Sequence, residues 1–84
     1  MAAENTALTA LLTAREQEVD VRRQSVLQAE EAARVLSDRY TEQLAPLAEV
    51  LEAEAVRARE QAALRRAEVE VVRTRLRLAY AGVR

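Results

Sequence analysis

Apolar residues recur at alternating three- and four-residue steps through most of this chain, the spacing of a helical seam. The longest run is Leu44, Ala48, Leu51, Ala55, Ala58, Ala62, Arg65, Val69, Val72, Leu76, Ala79 and Val83, broken only by one arginine. A second, weaker stripe precedes it: Leu12, Val19, Val26, Ala29, Ala33, Leu36 and Tyr40, with Arg15 and Arg22 standing where apolar residues are expected. Between the stripes lies SDRYTEQLAP, polar, irregular and ending in the only proline, Pro46. Proline fixes its own φ, lacks an N–H and disfavours helix at the preceding residue, so it suits the first turn of a helix and not an interior.

The pattern predicts an all-α chain. Helix one covers about residues 14–39, the turn about 40–46 and helix two about 46–80, so that 13–84 form an antiparallel helical hairpin, coiled-coil-like in its packing. Residues 1–12 form a poorly specified N-terminal segment, where Asn5 or Thr6 offers a cap, Leu8, Leu11 and Leu12 an apolar face, and fraying is expected. Thr13 with Glu16 reads as a capping box, so a helix starts at Ala14 or passes through it. The stripe also runs through the turn without losing phase. One long helix kinked at Pro46, in a parallel or antiparallel coiled-coil dimer, is therefore the rival arrangement. At the far end, Arg73, Arg75 and Arg77 approach the negative end of the helix dipole and Gly82 offers a left-handed cap. The segment from Val72 to Tyr80 also alternates with period two, a strand signature, but no second segment offers it a pairing partner.

Composition narrows the function. Of 84 residues, 18 are alanine, and none is phenylalanine, tryptophan or isoleucine, so the core is thin. A chain of this size removes only about 60% of its unfolded surface from water, which favours association into a four-helix dimer. With no histidine, no cysteine and no lysine, the usual general base, the zinc and iron–sulfur ligands and the amine nucleophile are all missing, and one glycine cannot build a phosphate-cradling loop. No enzymatic activity, metal or cofactor is expected. An N-terminus without a basic start, and the lack of a long apolar run, lead to the expectation of a cytoplasmic protein.

Charge is divided unevenly. Residues 1–44 hold five arginines against eight acids, net −3, and residues 45–84 hold eight against six, net +2. Such halves suit each other side by side. The pairs Glu18 with Arg22 and Glu30 with Arg34 stand at helical spacing, and the like-charged pairs Glu30 with Glu31 and Asp38 with Glu42 ask for a facing cation. The last twenty residues carry +4, yet an acidic total and only two tyrosines make nucleic-acid or membrane-surface binding unlike the rest of the pattern.

The expectation is thus a non-enzymatic interaction module, such as an adaptor, chaperone or assembly component, with a purely structural oligomer or tether as the alternative. Its partner is itself or another helical protein. The candidate partner-binding residues are Leu51, Ala55, Ala58, Ala62, Arg65, Val69, Val72, Leu76 and Tyr80 on helix two, with Tyr40 at the turn. Arg15, Arg22 and Arg65 lie on or beside the seams, where a charge lowers stability and can fix register. Tyr40 and Tyr80 are expected to plug the two ends of the hairpin.

Overall fold

The computed structural model describes residues 2–83, and the side chains of 3–82. Two helices account for almost all of it: α1, Ala2–Thr41, and α2, Leu47–Val83. They pack against each other along their length in an antiparallel hairpin with principal extents of 63 × 14 × 12 Å. The long dimension is that of a single helix, since 40 residues rising 1.5 Å each span about 60 Å. A continuous kinked helix is therefore not the arrangement.

α1 ends in a Schellman motif. The Gln43 N–H donates to the Tyr40 carbonyl at 2.9 Å and the Leu44 N–H to the Arg39 carbonyl at 2.7 Å, closing the last turn with Gln43 at φ 63°. Glycine is the usual residue there, because a Cβ in the left-handed region is crowded. The sequence has glutamine. Pro46 directly precedes α2 and its carbonyl accepts from the Glu49 N–H at 3.1 Å, so the ring occupies a place where no N–H is required. Glu49 adds a carboxylate to the positive end of the helix.

The outer boundaries differ from the expected ones. α1 begins at Ala2 and not near Ala14, because Leu8, Leu11 and Leu12 are half-buried and Leu12 packs onto the Val19, Ala67 and Val71 cluster. Thr13 is not a cap; its hydroxyl donates to the Thr9 carbonyl at 3.2 Å, as Thr9 donates to the Asn5 carbonyl at 2.7 Å, both one turn back inside a continuing helix. α2 runs on to Val83 through Gly82, which has no positive φ and so forms no left-handed cap. Arg73, Arg75 and Arg77 thus stand before the last turn, not in it. The segment from Val72 to Tyr80 is helical despite its period-two pattern.

Among the described residues two ion pairs cross between the helices: Glu16 with Arg75 at 3.2 Å and Arg23 with Glu68 at 3.9 Å. Seven residues forward on α1 correspond to seven back on α2, so both pairs belong to one antiparallel register. The first has its acid on α1, as the charge division predicts, and the second is reversed. The other ion pairs among the described residues all lie within a helix. Glu18 meets Arg22 at 3.9 Å as its spacing predicts, whereas Arg34 turns to Glu31 and Asp38 instead of Glu30.

Candidate interaction surface

The face of α1 turned to α2 follows the expected stripe. Val19, Val26, Ala29 and Ala33 are buried, Leu12 and Leu36 half-buried. Arg15 and Arg22 continue the same line and are half-buried, flanking Glu18, which lies 3.4 Å from Arg15 and 3.9 Å from Arg22. Space for these side chains comes from Ala63 and Ala67 on α2, which line a small cleft with them beside Arg66 and Glu70. The stems are covered while the charged ends reach a partner or water, as in other arginines at packed faces. One atom is left out: Arg15 Nε is buried without a hydrogen-bond partner.

α2 presents a different stripe from the one its sequence makes most conspicuous. Turned to α1 are Val50, Ala53, Arg57, Glu60, Leu64, Ala67, Val71, Thr74, Leu78 and Ala81, all buried or half-buried and spaced by threes and fours. Thr74 is the most enclosed of these polar groups, 3% exposed, and its hydroxyl donates to the Glu70 carbonyl at 2.8 Å, whereas Arg57 Nε on the same stripe is buried without a hydrogen-bond partner.

The residues singled out from sequence fall on the other side. Leu51, Ala55, Ala58, Ala62, Arg65, Val69, Val72, Leu76 and Tyr80 are all exposed. They are brought together in one line, because from Ala53 to Leu78 each member of the buried stripe has an outer counterpart two positions away, and two residues turn a helix by about 200°. Exposure is 61% at Leu51, 48% at Val69, 53% at Val72 and 51% at Leu76. From Leu51 to Tyr80 the line is about 44 Å long at 1.5 Å per residue. Leu47 lies one turn before Leu51 and is exposed as well. The predicted hairpin seam on α2 is thus its outward face, and Arg65 belongs to that face and not to the interior. The Val83 side chain lies outside the described residues.

Tyr40 is not part of this line; it sits near the end of α1, at the opposite end of the hairpin from Tyr80. Neither ring plugs an end, with exposures of 45% and 71%. The two-helix layer is too thin to enclose a ring at its ends, so both aromatics remain at the surface.

Acid clusters are answered locally. Arg34 donates to Glu31 at 2.6 and 3.1 Å and to Asp38 at 3.1 Å. That guanidinium, first by hydrogen bonding and then by its charge, holds the Glu31 carboxyl below the usual carboxylate range, and Glu31 in turn raises Arg34. A groove of about 390 Å3 between the helices is lined by Val19, Val71 and Val72 and rimmed by the interhelical pairs Glu16 with Arg75 and Arg23 with Glu68. Asp20 also lines it and lies 3.7 Å from Arg23, so its three acids share two arginines. Among the described residues no group of three or more metal-binding side chains gathers, and no helix is long and apolar enough to cross a membrane. Comparison with protein-family models, curated proteins and solved structures finds no match to this chain.

Proposed function

We propose that the chain is a non-enzymatic protein–protein interaction module whose docking surface is the outward apolar line of α2. The observation that carries this reading is that one helix bears two apolar faces, of which the hairpin uses only one. An exposed contiguous apolar strip is what marks interaction sites on soluble proteins, whereas single exposed leucines do not. Surface area supports it. The chain exposes 6368 Å2, while a compact monomer of 9.4 kDa exposes about 5,000 Å2. The excess of roughly 1,400 Å2 exceeds the approximately 800 Å2 per partner of a standard stable interface. Arginine and glutamate along the flanks of the strip supply a polar rim, as at other interfaces.

The partner chemistry that fits is another helix, laid into the shallow surface that the alanines leave between Leu51 and Val69. Nucleic acid is a poorer match, since Arg73 and Arg75, in the most basic stretch, already face Glu70 and Glu16 at 2.9 and 3.2 Å.

The test compares the native chain with a variant carrying Leu51→Lys, Val72→Lys and Leu76→Lys, reading complexes by native mass spectrometry and helicity by circular dichroism. Docking through this face predicts a complex, with itself or another protein, that the variant loses. A complex that survives all three substitutions, or the absence of any complex from both, contradicts the proposal.

A further inference from the structure

We infer that the occupant of this face is a second copy of the same chain, laid antiparallel along α2 with the twofold axis passing between Ala62 and Arg65. The inference rests on the docking reading above and adds the identity and direction of the partner. A twofold interface must be self-complementary, each residue meeting a counterpart whose own partner is the first residue's copy. Centred between Ala62 and Arg65, the outward line meets itself in four distinct layers. Leu51 meets Leu76, Ala55 meets Val72, Ala58 meets Val69, and Ala62 meets Arg65.

Apart from Leu51, the alanines lie in one half of the line and the larger side chains in the other, so reversal pairs small with large in the three inner layers and leucine with leucine only in the outermost one. In the parallel, in-register alternative, Ala55, Ala58 and Ala62 would each meet their own copies at one end while Val69, Val72 and Leu76 did so at the other, a wedge-shaped gap that close packing disfavours. Parallel pairing would also place Arg65 against Arg65 in the apolar layer, two like charges with no acid between them. Antiparallel pairing sets each Arg65 across from an alanine and offsets it from its own copy by three residues, about 4.5 Å along the axis, instead of leaving the two level.

Charge acts in the same direction. The first third of α2 carries Glu49, Glu52 and Glu54, and the last third Arg73, Arg75 and Arg77. Reversal sets Glu52 and Glu54 of one copy beside Arg73 and Arg75 of the other, a second acid for arginines that already meet Glu70 and Glu16 within their own chain, while Glu54 also meets Arg57. Like charges meet at two places: Arg59 with Arg66, at exposed flanking positions where salt screens them, and Arg65 with its own copy, three residues apart along the axis at the centre of the line. In the resulting four-helix assembly the two α2 helices form the inner pair and the two α1 helices stand outside.

The chain has no cysteine, so a single introduced thiol carries a single nitroxide. Labels are placed by Glu49→Cys and, separately, Arg59→Cys, both at exposed positions, and distances between copies are read by pulsed electron resonance. In the antiparallel register residue 49 is 29 residues along the axis from its own copy and residue 59 is 9 residues, or about 44 and about 14 Å at 1.5 Å per residue. A long distance at position 49 together with a short one at 59 is the expected result. Short distances at both positions would establish parallel pairing and overturn the inference. A single-chain mass with no distance between copies would also overturn it; a heteromeric complex lost in the lysine variant would then still uphold docking through this face.

Discussion

Val71 and Val72 are adjacent in sequence and identical in chemistry, yet α2 turns one toward α1 and the other outward, at 7% and 53% exposed. Val→Ala at each position removes two methyl groups, worth about 1.6 kcal/mol when fully buried. Weighting by burial leaves about 1.5 kcal/mol at Val71 and about 0.75 kcal/mol at Val72. Alanine is the better helix former by roughly 0.5 kcal/mol, a gain common to both sites. At Val71 the cavity left against Val19 and Ala67 adds a further cost that depends on how far the helices close up. Val71→Ala is therefore expected to destabilise the hairpin by about 1–2 kcal/mol, and Val72→Ala to stay within about 0.5 kcal/mol of wild type. The assay is urea unfolding followed by circular dichroism, at a dilution where the chain has its monomer mass. For a domain of this size the larger effect corresponds to a fall of roughly 4–16 °C in Tm. If a second copy covers the outer face at high concentration, as proposed, the cost of Val72→Ala is expected to rise there toward that of Val71→Ala. Equal effects at high dilution, or a larger effect at Val72, would refute the assignment of faces.

Gln43→Gly relieves the left-handed strain at the end of α1 and is expected to raise stability by roughly 0.5–1 kcal/mol in the same assay, a fall instead contradicting the turn geometry. Arg15→Leu replaces a half-buried guanidinium, whose Nε has no partner, by a side chain suited to the seam, and leaves Glu18 with Arg22; a gain of about 1 kcal/mol is expected, and a lower urea midpoint would show that the charge supports the hairpin. Because the Glu31 carboxyl is depressed in the folded chain, its pairing with Arg34 contributes stability above the unfolded-state pKa and loses it as pH falls through the folded value. In an NMR titration Arg34→Gln should return Glu31 to the usual range, whereas an unchanged midpoint would assign the shift to something other than Arg34.

The all-α hairpin, its turn and the stripe of α1 were legible because they rest on local signals: three–four spacing from Leu12 to Leu36, a polar stretch at Ser37 to Gln43, and Pro46. The start of α1 was not, because nothing in residues 1–12 announces the contact that Leu12 makes across the hairpin, and a Thr13–Glu16 pattern serves equally as a cap or as two residues of a passing helix. α2 misled for a sharper reason. Its outer line is interrupted once, by Arg65, while its inner line is interrupted by Arg57, Glu60 and Thr74, so counting apolar positions selects the outer line as the seam. The helical partner selects the inner one. A face bearing Arg15 and Arg22 packs against Ala63, Ala67 and Glu70, which give room and a nearby acid. The charged interruptions on α1 were the available signal that its partner face would be imperfect too. In the same way, the candidate binding residues were found as a pattern, while their exposure depended on which pattern α1 covered.

Small-angle scattering, read for mass and maximum dimension together, tests most directly whether α2 is shared between α1 and a second copy. Two hairpins reversed about a point near the middle of α2 overlap almost completely, so the mass doubles while the length stays close to that of one 63 Å hairpin, about 70 Å with the small offset at 1.5 Å per residue. A single-chain mass, or a doubled mass in a particle beyond about 100 Å, where the copies could meet only near their ends, would contradict it.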